Sequence, residues 1–333
     1  MSRVLLIDLN HVLWNYFYAL PSDDVVPLII DERHYTAHKL LVTTILKCIF
    51  RWSNEGEYPV AVCIDAPKCD STRVSFFDKW GIDYTPTRGE HIYSFNHDID
   101  TITEMLRKAG AQVFRSSLYT GADFVCSCVN AIKANPSYAG SAIDIVTGDV
   151  ALLPLVDSRT SVFLHSKKST WAESKSLEKK HYIQVAPANF EKTTGGLTFF
   201  SKLSVPYNTV LLSLILRGDK THSMRGLGFT PSKYNALLQE LLANSAQVVT
   251  CYSQPVLGSD GLYQVPHGFI DAFLPLRTCL SKDLLHTALL IYLGYNLGGP
   301  LNGTVSRGLL TVNNPVSCMH GSLLSDMLSK FHC

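Results

Sequence analysis

Four aspartates, Asp8, Asp65, Asp123 and Asp149, each stand at or just after the end of a short apolar run or at the head of the following helix. The runs are Val4-Leu5-Leu6-Ile7, residues 59–64, residues 111–114 and Ile143-Asp144-Ile145-Val146, the last leading into Thr147-Gly148-Asp149. In an α/β sheet, ligands bind in the crevice beyond the carboxyl ends of the strands, so side chains at those ends converge. Clustered carboxylates raise one another's pKa and are stable chiefly around a cation. Hard oxygen donors suit Mg2+ or Mn2+, with waters filling the remaining positions. Two such ions about 3.5–4 Å apart can activate a water and stabilise the leaving oxygen of a phosphodiester. The constellation points to metal-dependent phosphoryl chemistry. Taken alone, Asp149 also reads as the cap of the helix that follows it.

Hydrophobic periodicity supplies the elements that must position these residues. After Asp8, the residues Val12, Trp14, Tyr16, Phe17 and Tyr18 begin a helix, and residues 35–53 place Leu41, Ile45, Cys48, Ile49 and Trp52 at helical spacing. Residues 98–108 recover that spacing through Ile99, Ile102, Met105 and Leu106, with Gly110 as C-cap. Gly121-Ala122-Asp123 heads a further helix through Val125, Val129 and Ile132. Strand and helix alternate through residue 165, which predicts an α/β fold with a mostly parallel central sheet covered by helices on both faces. Between residues 80 and 97 periodicity is lost around Gly81, Pro86, Arg88 and Gly89, and a loop or arch is expected.

The 333 residues, 46% hydrophobic and 17% charged, can bury a large core in about two domains. A net charge of +1 carries no global polyanion signal, so nucleic-acid binding must rest on local basic patches. One such patch, Lys68, Arg73, Lys79 and Arg88, is interleaved with Phe76, Phe77, Trp80 and Tyr84. It reads as a DNA-facing wall whose aromatics stack on unpaired bases, although Phe76 and Phe77 fit a core equally well. Residues 167–180 hold five lysines against two glutamates, either a solvated loop or a phosphate-contacting surface. The nine cysteines form no CxxC pair and several lie in apolar runs, which suggests a reducing, cytoplasmic compartment. The first ten residues are too soon polar for a signal peptide, and no apolar stretch reaches the roughly 18 residues of a membrane helix.

A second domain is expected from about Pro187. There an apolar helix end at residues 210–216 meets a glycine-rich turn through Gly218, Asp219, Met224, Arg225 and Gly226. Thr230-Pro231 then starts a helix, with Tyr234, Leu237, Leu238, Leu241 and Leu242 as its buried face. A helix, tight turn and helix present backbone N–H groups suited to a phosphate. Beyond it lie an apolar helix-like segment at 284–293 and a glycine-rich stretch at 294–308, with no chemical motif.

The order IDLNHVLWNYFYA, CIDAPKCDSTR, DYTPTR, GADFV, VTGDVALLPLVD and LRGDKTHSMRGL resembles the 5′→3′ exonuclease and flap endonuclease family over roughly residues 3–243. It is most like small phage enzymes and the 5′-nuclease domains of bacterial DNA polymerase I. The resemblance implies a PIN-like 5′-nuclease domain at 1–186 with a basic arch around 68–97. A helix-hairpin-helix-like DNA-binding region at 187–250 and a C-terminal extension of unknown role at 251–333 would follow. It also implies metal ligation by Asp8, Asp65, Asp123, Asp149 and Asp219, with the first four catalytic. Implied DNA contacts are Lys68, Arg73, Tyr84, Arg88, Arg225, Gly226 and Lys233, the partner being DNA at 5′ ends, flaps or single-stranded/duplex junctions, with replication proteins as candidate further partners.

This chain departs from the family pattern at the acids. Gly121 and Phe124 replace a Glu and an Asp of the Glu-Ala-Asp-Asp motif, Ala151 replaces the second Asp of Asp-x-Asp, and His222 and Ser223 replace a closing Asp-Asn. Most of the losses surround the second metal. The expected activity is therefore a 5′→3′ DNA nuclease working with a reduced Mg2+ or Mn2+ site, in which His222 is a candidate replacement ligand. The alternatives are a catalytically degenerate DNA-binding replication accessory and a PIN-type ribonuclease.

Overall fold

The apolar run of residues 4–7 lies at the centre of a six-stranded sheet and is buried on both faces, as expected for a parallel strand covered on two sides. In the computed structural model of the chain, the residues described are 2–17, 25–65, 96–117, 119–165, 182–189 and 315–329. Short pieces at 218–219, 224–225, 232, 236, 256–257 and 263–264 complete them.

The first strand and helix are β1 (Arg3–Asp8) and α1 (Leu9–Phe17). A two-stranded antiparallel hairpin follows, β2 (Val25–Ile30) and β3 (Arg33–His38), and then α2 (Lys39–Trp52). β4 (Val60–Asp65), α3 (Asn96–Lys108), β5 (Gln112–Ser116), α4 (Gly121–Ala134) and β6 (Ala142–Thr147) come next. A 3-10 turn at Val150–Leu155 leads to β7 (Thr160–His165) and β8 (Tyr182–Val185), and α5 (Gly321–Ser329) ends the described chain.

The hairpin is absent from the periodicity reading, which began the second helix at residue 35, whereas residues 35–38 belong to β3. Its connection is two residues long, with Asp31 and Glu32 both at positive φ, the geometry of a type I′ turn. Asp and Glu do not announce that turn as Asn-Gly would, which is why it was not legible.

The strand order is β5-β4-β1-β6-β7-β8, parallel except for the β7–β8 pair. From β1 the chain therefore builds outward through β4 and β5 on one side, and later through β6, β7 and β8 on the other. Reversal of that kind makes β1 and β6 the topological switch point, beyond whose strand ends ligands bind in open α/β sheets. Leu5 and Ile7 of β1 and Val60, Val62 and Ile64 of β4 share the core of α1, α2, α3 and α5. On the sheet's other side α4 lies against β1, β4 and β5. At the opposite edge Trp52 packs edge-on to Phe163 and Tyr182, with ring centroids 5.3 and 5.2 Å away.

The C-terminal residues 315–329 pack on this same body. Val60 donates its N–H to the Ser317 carbonyl and accepts from the Ser317 N–H, while the His320 N–H donates to the Ala109 carbonyl. Gly110, at φ +92°, accommodates this docking, because a Cβ there would stand 2.7 Å from the Cys318 carbonyl oxygen. No described helix is long and apolar enough to cross a membrane.

Candidate active site

Asp8 is the last residue of β1 and Asp65 the last of β4; Asp149 lies two residues beyond β6, and Asp123 is the third residue of α4. All four thus stand at one edge of the sheet, through three adjacent strands and the helix that starts beside them. The cause is local: each apolar run ends where the strand leaves the core, and the first polar residue beyond it lands at the edge.

Asp8 is only 2% exposed. Its carboxyl is pushed up to about 6, first by burial and then by the neighbouring charges of Asp65 and Asp149. His11 and a hydrogen bond from Thr147 pull in the opposite direction. The Thr147 hydroxyl donates to Asp8 Oδ2 at 2.8 Å and accepts from the Asp149 N–H at 2.9 Å, so one buried side chain ties the tip of β1 to the turn after β6. A Thr that accepts from the N–H two residues on is an ST turn, and Thr-x-Asp at a strand end is the sequence signal for it.

Asp65 and Asn10 join the neighbouring strand ends. The Asp65 N–H donates to Asn10 Oδ1 at 2.7 Å, which fixes the amide orientation and leaves the buried Nδ2 without a hydrogen-bond partner among the described residues. Asp65 Oδ1 in turn accepts from the Gly121 N–H at 2.6 Å, at the positive end of the α4 dipole. Asp123 turns back on its own helix. Its Oδ2 accepts from the Thr120 N–H at 2.9 Å and from the Thr120 hydroxyl at 3.0 Å, while the Thr120 hydroxyl accepts from the Asp123 N–H, a capping box.

The substituted family positions have structural occupants. A Cβ at Gly121 would stand 3.1 Å from the Cys63 carbonyl oxygen and 3.3 Å from Asp8 Oδ1, so α4 approaches the strand tips closely enough that a side chain there would have to push its neighbours by a few tenths of an ångström. Gly121→Glu, which introduces the acid that the resemblance implies there, is therefore expected to lower stability by about 1–3 kcal/mol through overpacking. A urea midpoint equal to wild type, together with faster cleavage, would contradict this. Phe124, where the resemblance implies an Asp, is buried and stacks on Phe114 at 5.5 Å. That lost carboxylate has become core.

Two residues acquire a place that sequence alone did not give them. The His11 ring lies against Gly148, where a Cβ would come within 3.1 Å of Nδ1, and its Nε2 is 3.7 Å from Asp8 Oδ2. His11 and Gly148 meet across the switch point between β1 and β6. Asp219 and Arg225 lie in two-residue strands paired antiparallel, Met224 opposite Asp219 and Arg225 opposite Gly218. Lys68, Arg73, Tyr84, Arg88, His222, Gly226 and Lys233 fall outside the described residues, as do most of the 187–250 region and the segments 284–293 and 294–308.

Among the described residues, no three His, Cys, Asp or Glu side chains close into a metal cage. The donor chemistry nevertheless fits a hydrated hard ion, because Mg2+ is commonly held by one or two carboxylates with waters making up the rest. Asp8 is destabilised as an anion by burial and by its two acidic neighbours, which a cation relieves, and the buried Asn10 Nδ2, without a hydrogen-bond partner among the described residues, is an N–H group able to donate to a water of a hydrated ion.

A mostly parallel sheet with this strand order, flanked by helices and carrying carboxylates at its switch point, defines the PIN-like 5′-nuclease fold. The family described as 5′-3′ exonuclease, N-terminal resolvase-like domain, matches residues 3–182, more than half of the chain. The chain belongs to that 5′-nuclease family. Its structure is similar to the bacteriophage T5 D15 protein co-crystallised with metal ions, at a TM-score of 0.54 and 10% identity over 99% of this chain and 98% of that one. It is also similar to the T5 D15 flap endonuclease complexed with DNA and metal ions, at a TM-score of 0.54 and 11% identity over 100% of both chains. The T5 5′-exonuclease with bound zinc gives a TM-score of 0.51 and 9% identity over 99% of this chain and 98% of the other. At these identities the likeness is one of fold. No curated protein sequence matches the chain.

Proposed function

We propose that this chain is a divalent-metal-dependent 5′-nuclease that hydrolyses DNA phosphodiesters at 5′ ends or flaps with a reduced acidic site. The observation that carries the reading is Asp8, buried at the switch point with its carboxyl raised to about 6 between Asp65 and Asp149. Asp8 and Asp149 would hold the ion, with Asp65 beside them. When bound, Mg2+ or Mn2+ lowers the pKa of a water and polarises the phosphate.

The protein's part is to keep these oxygens in place. Thr147 sets the spacing of Asp8 and Asp149, Asn10 sets that of Asp65, and the Thr120–Asp123 capping box fixes where α4 begins. Asp219 is proposed as a further ligand. Lys68, Arg73, Tyr84 and Arg88 are proposed as DNA contacts, on the chain that leaves the acidic edge at Asp65. Arg225, Gly226 and Lys233 are proposed to grip duplex phosphates.

One observation favours the second reading, a DNA-binding protein that has kept the fold without the chemistry. Asp8, Asp65 and Asp123 already accept hydrogen bonds from protein donors, so at least three of the four carboxylates are engaged within the fold. Incubation with 5′-labelled flap, nicked and single-stranded DNA separates the two. Metal-dependent cleavage lost in Asp149→Ala supports the nuclease, whereas binding of all three DNAs with no cleavage in either ion supports the accessory. RNA versions of the same substrates test the ribonuclease alternative. Reversing charge at Arg73 and Arg88 is expected to flatten the salt dependence of DNA binding by about one unit of slope per lost phosphate contact.

A further inference from the structure

We propose that His11 is a substrate contact, its imidazole N–H donating to a phosphate oxygen of the DNA strand that enters the acidic edge. The inference deepens the reading above and rests on DNA being bound at that edge.

The need for such a group follows from charge. Asp8, Asp65, Asp123 and Asp149 stand at one edge of the sheet, and every phosphodiester of DNA is itself an anion. Of the charged side chains acting on Asp8, Asp65 and Asp149 have its own sign and His11 has the opposite one. A divalent ion offsets part of the repulsion. A protein donor aimed at a phosphate does something further, because contacts to the backbone set the register in which a strand lies on the protein.

His11 has the place and the depth for this. It is the third residue of α1, directly after the strand that forms one side of the switch point. Its side chain is 35% exposed, against 3% for Asp8, and Asp149 is buried as well. The imidazole therefore stands at the rim above the carboxylates, where a group as large as a phosphodiester arrives first. The ring is seated on two sides. Its Nε2 lies 3.7 Å from Asp8 Oδ2, an ion-pair distance too long for a hydrogen bond, and a Cβ on Gly148 would meet Nδ1 at 3.1 Å. A side chain held in this way loses little further freedom on meeting its ligand. Neutral imidazole carries one N–H donor and imidazolium two, so the contact is available in either state. A hydrogen bond to an ionised oxygen is also among the stronger ones.

The test measures binding of a 5′-flap DNA to the full chain by fluorescence anisotropy in Ca2+, which takes oxygen ligands as Mg2+ does. Single methylphosphonates, each replacing one charged phosphate oxygen by a methyl group, are placed in turn across the phosphates flanking the flap junction. At one position the neutral linkage is expected to weaken wild-type binding about tenfold, and to leave His11→Ala, already weaker by the same factor, unchanged. His11→Gln, which keeps a side-chain N–H, is expected to recover part of the loss, and melting curves verify that both variants are folded. A merely structural role would weaken binding to every DNA alike, with no single phosphate coupled to residue 11. That outcome, or wild-type affinity in His11→Ala, would overturn the proposal. If Mg2+-dependent cleavage persists in that event, the nuclease reading stands and only the role of His11 falls. If wild type binds none of these DNAs, the DNA reading fails and takes this inference with it.

Discussion

Asp8→Asn is expected to abolish phosphodiester cleavage and, in the same protein, to raise the melting temperature at neutral pH. The Asp8 carboxyl is raised from 3.8 to about 6 in the folded chain, by burial first and by Asp65 and Asp149 next. A carboxyl with a higher pKa folded than unfolded binds its proton more tightly in the folded state. Its charge therefore destabilises the fold, with no penalty below about pH 4, a growing one through the window from 4 to 6, and the full amount above it. A shift of that size corresponds to about 3 kcal/mol. The amide keeps an oxygen to accept from the Thr147 hydroxyl, so the variant loses the charge and keeps the contact.

Thermal melts at pH 4 and pH 7 check the first half. The two proteins should coincide at pH 4, and the variant should melt several degrees higher at pH 7. Mg2+ or Mn2+ should stabilise wild type at pH 7 by mass action and leave the variant unmoved. Cleavage should fall by at least about a thousandfold, since an ion's stabilisation of transition-state charge amounts to several kcal/mol. A variant that melts lower than wild type at pH 7, or cleaves at its rate, would remove Asp8 from the position assigned to it.

Deleting residues 315–333 is expected to prevent the six-stranded sheet and its helices from folding. Val316, Met319, Leu324 and Met327 are all buried, and the last three join the core of β1, β4 and the helices over them. Burial of four such side chains contributes about 6–12 kcal/mol. The net stability of a domain is only about 5–15 kcal/mol. The hydrogen bonds between the N–H and carbonyl groups of Val60 and Ser317 are lost as well, leaving Val60 only its register with Leu5 of β1. Near-ultraviolet circular dichroism and sedimentation of the truncated chain test this, and Leu324→Ala, expected to cost about 2–5 kcal/mol, grades the effect in a protein that still folds. A truncated chain with a cooperative melt near the wild-type temperature would show the segment to be peripheral.

Much of the scaffold was legible because it is written in local pattern. The apolar runs ending in Asp8, Asp65 and Thr147 are strands, and the spacings through Ile99 and Leu106 and through Val125 and Ile132 are helices, within a few residues of the observed ends. Gly110 at positive φ stands where a helix was expected to stop. The β2–β3 hairpin escaped because its turn is built from Asp31 and Glu32, which carry no glycine signal. The packing of 315–329 escaped because its partners, Val60, Ala109 and Gly110, lie more than two hundred residues earlier in the chain.

The sequence by itself determined that this chain forms an α/β sheet of the 5′-nuclease family with aspartates at its strand ends, since strand period and strand termination are properties of neighbouring residues. Only the tertiary structure decided which groups surround each carboxylate. Strand order sets the switch point between β1 and β6, and with it the seating of His11 on Gly148 and the Thr147 bridge from Asp8 to Asp149. The approach of α4 gives Asp65 the Gly121 N–H and makes position 121 a tight one for any side chain. These contacts join residues as many as 139 positions apart, and hydrophobic periodicity, being local, holds no information about such pairings.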